Sequence, residues 1–196
     1  MENKPIPSND KKKPIIFLET SRLVFSKWSE DDLTNAMVLW GDSEVTKFIS
    51  ASGKFTKEDV ENRLKNEIKQ QEKYQVQYWP IFEKNSDEFV GVCGLRMHDA
   101  INNVYELGFH LKKDYWGQGY ALEAARSVIN YAFSDLDATE LFAGHHPDNY
   151  SSQKLLRKLG FCYTGKEFYQ PTKLFHPSYR LTKTIDRGEM FQIFSR

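Results

Sequence analysis

The stretch KKDYWGQGYALEAA, Lys112 to Ala125, places Gly117 and Gly119 on either side of Gln118, directly ahead of a helical run. A helix start leaves its first N–H groups unpaired and carries partial positive charge from the helix dipole, so a backbone can hold an anion there. Glycines remove the side chains that would keep a phosphate away from the amides of Gln118 to Leu122. No acidic residue stands between Tyr115 and Leu122, and Glu123 lies far enough on to point outward. Two familiar nucleotide loops fail on these residues. The dinucleotide fingerprint needs glycine where this chain has Leu122, and the NTPase phosphate loop needs Lys and then Ser or Thr where it has Tyr120 and Ala121. What remains is GxGxA, which is open to two readings, an anion cradle or a plain tight turn.

Other side chains could move protons. His110, His145 and His146 titrate in the useful range, although each also reads as a packing or surface histidine. No CxxC pair and no Cys/His cluster with metal-ligand spacing occurs, so no metal is expected. Cys93 and Cys162 lie in apolar strand-like runs and are expected to be buried free thiols. With 27 basic and 27 acidic residues the net charge is zero, which argues against a nucleic-acid partner bound through a broad basic field. No apolar run is long enough to span a bilayer and the N-terminus shows no signal-peptide core, so no membrane partner and a cytoplasmic location are expected.

The elements that must position these groups can be read from periodicity and punctuation. Residues 1–13, MENKPIPSNDKKK, read as a disordered tail, and residues 14–196 as one domain. ETSRLVFSKW reads as a first strand. Ser29 with Asp32, and Thr56 with Asp59, make capping boxes that open helices through about Trp40 and from Lys57 to Tyr74. QYWPIFEK, EFVGVCGLRMHD and NVYELGFHL read as three consecutive strands of an antiparallel meander. From Gly117 the pattern becomes helical, with Leu122, Ala125, Ile129 and Phe133 as the stripe. ATELFAGHH is a further strand, NYSSQKLLRKLG a short helix stopped at Gly160, and the remainder a hairpin. The order is that of an α+β fold with a mixed sheet. Trp28, Trp40, Trp79, Phe48 and Tyr74 are candidates for a cleft between the first helices and the sheet, although most aromatics of this kind are core.

YWGQGYALEA resembles the acyl-CoA pyrophosphate loop of the GNAT superfamily of N-acyltransferases, with Trp116, Gly119 and Ala121 at its pattern positions. Trp116 departs from the usual Arg or Gln, which leaves the phosphates to the amides; the Trp-Gly-x-Gly-Tyr-Ala variant is similar to the RimJ/RimL-like branch. The resemblance continues in DNYSSQKLLRKLGF, at Asn149, Ser152, Leu159, Gly160 and Phe161, and in the opening ETSRLVFSKWSEDD, at Thr20, Arg22 and Leu23. It covers about residues 18–186.

This resemblance implies a GNAT-like, mostly antiparallel central sheet flanked by helices, with YELGFHL and ELFAGHH splayed apart to admit acetyl-CoA. The pantetheine arm would pair with the backbone of Phe109, His110 and Leu111. The pyrophosphate would sit on Gln118, Gly119, Tyr120 and Ala121, and Asn149 would serve the pantetheine region, the helix N-cap, or both. Acetyl transfer to an amine needs a base, an oxyanion donor and a proton for the departing thiolate. Glu106 is the first candidate for the base, on the strand face shared with Gly108 and His110, unless a bulge shifts it; a plain surface carboxylate is the alternative. Ser152 matches the family's serine and is the candidate acid, with Tyr150 a weaker rival. The implied activity is direct transfer in a ternary complex to a primary amine, either a protein N-terminus or a small molecule, by a monomer or homodimer. The alternative is a CoA-binding regulatory or interaction module without catalysis.

Overall fold

Strands β1 (Leu18–Glu19), β2 (Leu23–Phe25), β3 (Tyr78–Glu83), β4 (Phe89–Asp99), β5 (Val104–Leu111), β6 (Glu140–Gly144), β7 (Cys162–Tyr169) and β8 (Leu174–Thr182) form one mixed sheet. Their spatial order is β1-β2-β3-β4-β5-β6-β8-β7. The computed structural model describes residues 16–183, and the expected tail, residues 1–13, lies outside them. Neighbouring strands are antiparallel except β5 and β6, which run parallel. A parallel pair needs a crossover, and helix α4 (Tyr120–Ser134) supplies it.

Helices α1 (Leu33–Trp40), α2 (Ser43–Thr46) and α3 (Lys57–Tyr74) cover one face, and α4 and α5 (Tyr150–Lys158) lie on the other. Strand alternation divides the side chains between them. From β5, Tyr105, Leu107 and Leu111 join the core under α4, with Ala124, Ala125, Val128 and Ile129 as its contribution. Tyr78 and Val92 instead join the core under α1 and α3, with Trp40, Val60 and Leu64. Both capping boxes are present: Ser29–Asp32 opens a 3-10 turn ahead of α1, and Thr56–Asp59 opens α3.

Two local expectations need correction, and a third, for the aromatics, resolves toward its plainer reading. The first strand is two, because the chain turns at Thr20 to Arg22, and the halves pair as a small hairpin. Cys93 is buried, but Cys162 is exposed at the start of β7, an edge strand with solvent on both faces. Trp28, Trp40 and Trp79 are core, and Tyr74 packs at its margin; of the five aromatics proposed for the cleft, Phe48 alone lines a cavity.

Candidate active site

The β5–β6 ladder is short. It holds Val104 to Glu140, Tyr105 to Leu141 and Glu106 to Phe142, and then the strands part. On the other side β5 stays paired with β4 from Met97–Tyr105 through Gly91–Leu111, without a bulge in β5. Lys112 N–H donates to Val90 O at 2.9 Å, so even-numbered residues turn their amides and carbonyls to β4. Odd-numbered residues turn theirs toward β6, as the Thr139 N–H to Asn103 O bond also requires. Beyond the fork, Phe109 N–H and C=O and Leu111 N–H therefore face an open edge. Trp116 Nε1 donates to Leu111 O at 2.8 Å and closes the end of it. His110 is the exception among the three expected backbone contacts, because its amide and carbonyl belong to the ladder with Val92.

The glycine loop lies at the end of that edge. Gly117 and Gly119 have φ of 73° and 83°, in the left-handed region that other residues enter at a cost. Among the described residues, none beyond its chain neighbours Trp116 and Gln118 comes within 4 Å of where a Cβ at Gly117 would stand. Conformation and an open approach therefore demand the glycine, and internal packing does not. Gly119 is the N-cap of α4, and the first intrahelical bond there runs from Glu123 N–H to Gly119 O. Ahead of it, the amides of Gln118 to Leu122 have no partner among the described residues. Trp116 is half exposed and its indole N–H is spent on Leu111.

One cation does reach this loop, from far away in the chain. Arg22 donates from Nη1 to Gln118 O at 3.1 Å, stacks 4.1 Å from the Tyr120 ring centroid, and brings Nη2 3.5 Å from the Cβ that Gly119 lacks. Its Nε is held by Glu123 Oε2 at 2.6 Å. Glu123 does not point outward as expected. Its other oxygen accepts from Thr20 Oγ1, Ser21 Oγ and the Arg22 amide. Although partial burial works against it, these bonds hold the carboxyl down at about 2.

Opposite α4, a cavity of about 420 Å³ opens at the fork. It is lined by Glu106, Gly108, His110, Asn149 and Ser152, with Arg63, Tyr78 and Arg96 on the α3 side. Glu106 thus lies on the face shared with Gly108 and His110, last in the β5–β6 ladder and beside the gap. Gly108 is needed for a steric reason: a Cβ there would fall 2.1 Å from Tyr78 Cζ, so its absence lets the phenol lie across the strand. Burial, then the charge on Glu106, pushes the Tyr78 hydroxyl well above its ordinary range, so it stays protonated.

Asn149 is the N-cap of α5, its Oδ1 accepting from Ser152 N–H at 3.1 Å. The Ser152 side chain is half-buried and faces the cavity. Tyr150, the weaker candidate acid, is 65% exposed and is not part of the cavity lining. Among the histidines, His110 is half-buried between the cavity and α1, where Trp40 Nε1 donates to its Nδ1 at 3.2 Å. Burial, then Arg63 and Arg96, lowers its pKa far below the ordinary value, so it is neutral and ill placed to collect protons. His145 is buried with Nδ1 on His146 O at 2.8 Å, and burial lowers its pKa as well. His146 lines the cavity with Phe48, their ring centroids 5.4 Å apart. Sequence reasoning missed Arg63, Tyr78, Arg96 and His176 in this wall. Only the pairing of Arg96 with Glu106 across the meander could have suggested one of them.

Comparison with known proteins gives the family and the fold. A family described as acetyltransferase (GNAT) domain matches residues 22–162. The uncharacterized N-acetyltransferase p20 of Bacillus licheniformis is 33% identical over 153 residues, 76% of this chain and 83% of that protein. A solved GNAT-family acetyltransferase of Bacillus anthracis superposes with a TM-score of 0.72 at 23% identity, covering 85% of this chain and 98% of that one. RimL, a ribosomal L7/L12 α-N-protein acetyltransferase solved in complex with coenzyme A, gives 0.71 at 16% identity and covers 85% and 97%. At such identities the two structures speak for the shared fold.

Proposed function

Because the chain belongs to the GNAT acetyltransferase family, of RimJ/RimL type, and is an N-acetyltransferase, we propose that it moves acetyl from acetyl-CoA directly onto a primary amine in a ternary complex. The acceptor is a protein N-terminal amine or a small-molecule amine. One observation carries this reading: β5 and β6 part immediately after Glu106 and Phe142, leaving an open strand edge between an unpaired helix N-terminus and a cavity that holds carboxylate and hydroxyl groups.

In this reading the pyrophosphate rests on the amides of Gln118 to Leu122, beside Arg22. The pantetheine arm runs along the β5 edge, pairing with Phe109 and Leu111 as an added strand would. The thioester then reaches the fork. Glu106, directly or through one water, takes a proton from the acceptor ammonium. The freed amine bonds to the thioester carbonyl carbon, and a backbone N–H of the open edge meets the developing oxyanion. As the C–S bond breaks the thiolate takes a proton from the Ser152 hydroxyl, the nitrogen's second proton restores that hydroxyl through water, and Glu106 passes the first to solvent. The products are the N-acetyl amine and free CoA thiol, with one proton released to solvent. No step forms a bond to the enzyme.

The test is thiol release from acetyl-CoA across a panel of amines and peptide N-termini, with the acetylated product identified by mass. Release that depends on both the amine and the enzyme supports direct transfer. Coenzyme A binding with no release for any amine would leave a binding module instead.

A further inference from the structure

Glu67, on α3, is fully buried and serves no step of the acetyl transfer. Its Oε2 accepts the Tyr78 amide at 2.9 Å, and its Oε1 accepts from Arg63 Nε at 3.0 Å and from Arg96 Nη2. Both guanidiniums lie against the Tyr78 ring, Arg96 Cζ 4.4 Å and Arg63 Cζ 5.6 Å from its centroid. The Tyr78 carbonyl takes Trp28 Nε1 at 2.8 Å, and the His110 ring meets the phenol edge to face at 5.8 Å. Backbone and ring of Tyr78 are thus fixed in place, and the buried charges do much of the fixing.

The hydroxyl is left over. Tyr78 is 4% exposed, yet its Oη has no hydrogen-bond partner among the described residues. Nor is the oxygen sealed in the core, because Tyr78 lines the cavity at the fork. A Tyr hydroxyl this enclosed ordinarily finds a partner, and one without is costly, so the group marks a place where a ligand completes the bonding. Gly108 defines that place. The Cβ it lacks would stand 2.3 Å from Tyr78 Oη. Gly108 is also the first residue on the cavity face of β5 beyond the last rung, Glu106 to Phe142. The phenol oxygen therefore lies over β5 where β5 and β6 part, next on that face to Glu106.

We infer that Tyr78 is a catalytic residue whose hydroxyl donates a hydrogen bond to the thioester carbonyl oxygen of acetyl-CoA at the fork. This rests on the transferase reading: with the arm along Phe109 and Leu111, the thioester passes Gly108. As the amine nitrogen bonds to the carbonyl carbon, the C=O π pair moves onto oxygen, where Tyr78 O–H and a backbone N–H both meet it. When the C–S bond breaks that pair reforms C=O, and the phenol keeps its proton throughout. Handing a proton to the thiolate suits Tyr78 less. Burial, then Glu106, holds the hydroxyl well above the usual phenol range, which makes it a weaker acid than a thiol. Two guanidiniums against one buried carboxylate leave net positive charge behind the ring, and that favours the developing oxyanion.

Tyr78→Phe deletes the hydroxyl and keeps the ring against the arginines. Its kcat should fall about a hundredfold, with the KM of the amine, the dissociation constant of CoA and the thermal midpoint nearly unchanged. A second readout needs no turnover. Infrared spectra of acetyl-CoA isotopically labelled at the carbonyl, bound without an amine, should show the C=O stretch below its position in water. Tyr78→Phe should move that band up. Near-native kcat, or a band that Tyr78→Phe leaves in place, overturns the inference and leaves the transfer itself standing. A native band at or above its position in water overturns it too, so the test holds even where the variant does not fold. If the band behaves as predicted but no amine is acetylated, the transferase reading fails and the contact between hydroxyl and carbonyl stands.

Discussion

Arg22 and Glu123, 101 positions apart, meet at 2.6 Å and tie the hairpin turn after β1 to the first turn of α4. This turn follows the glycine loop, so the pair fixes the helix end whose first amides have no partner among the described residues. Glu123 also accepts Thr20, Ser21 and the Arg22 amide, which makes it the anchor of the whole turn.

Acid should release that anchor. The folded carboxyl sits at about 2 against an ordinary 4.5, so its contribution is complete above about pH 4.5 and is lost as pH falls toward 2. Allowing for screening at the 39%-exposed Arg22, Glu123→Gln should cost about 2 kcal/mol at neutral pH. Denaturant titrations at pH 7 and pH 3 should show the variant's deficit shrinking at the lower pH. An equal deficit at both would remove the carboxylate from the account.

A side chain at Gly119 should carry a cost that grows with its size and charge. With φ at 83°, Gly119→Ala should cost about 1 kcal/mol in strain alone. Gly119→Glu adds a carboxylate where the pyrophosphate is placed and should lower CoA affinity by about a hundredfold while the far-UV spectrum is kept. Native affinity in the folded Glu variant would move the pyrophosphate elsewhere.

Glu106→Gln keeps size and hydrogen bonding but cannot take a proton. It should lower kcat between about tenfold and a thousandfold and leave the dissociation constant of CoA in place. Near-native turnover would pass the proton to water or to His146, which also lines the cavity.

Ser152→Ala keeps the backbone N–H that Asn149 caps and removes only the hydroxyl. Turnover should fall about tenfold or more with little change in thermal midpoint. If the midpoint falls and the rate does not, the hydroxyl serves α5 and not the leaving thiolate.

Cys162 should react with a thiol reagent in the native protein and Cys93 only after unfolding, because burial both hides Cys93 and pushes its thiol up. One thiol titrated native and two unfolded is the expected count. Two in the native state would contradict the packing under α4.

Much of the frame is legible in residues close together in the chain. The Thr56–Asp59 capping box and the apolar stripe of α3 mark a helix from Lys57 to Tyr74, because caps and periodicity are local signals. Gly117 and Gly119 announce their left-handed backbone in the same way. What local pattern cannot carry is where two strands part, since the last rung, Glu106 to Phe142, joins residues in separate elements. The Arg22–Glu123 tie is hidden for the same reason, and so is the convergence of Arg63, Glu67 and Arg96 from α3 and β4. Cys162 misled because an apolar run at a sheet edge looks, in one dimension, like one inside.

In the proposed reaction acetyl-CoA meets the amine at the fork beside Glu106 and Phe142. A crystal structure with CoA tests it most directly. The pyrophosphate should lie on the amides of Gln118 to Leu122, the arm should pair with Phe109 and Leu111, and the sulfur should sit in the cavity between Glu106 and Ser152. Coenzyme A bound outside the fork, or with its sulfur away from both side chains, would contradict it.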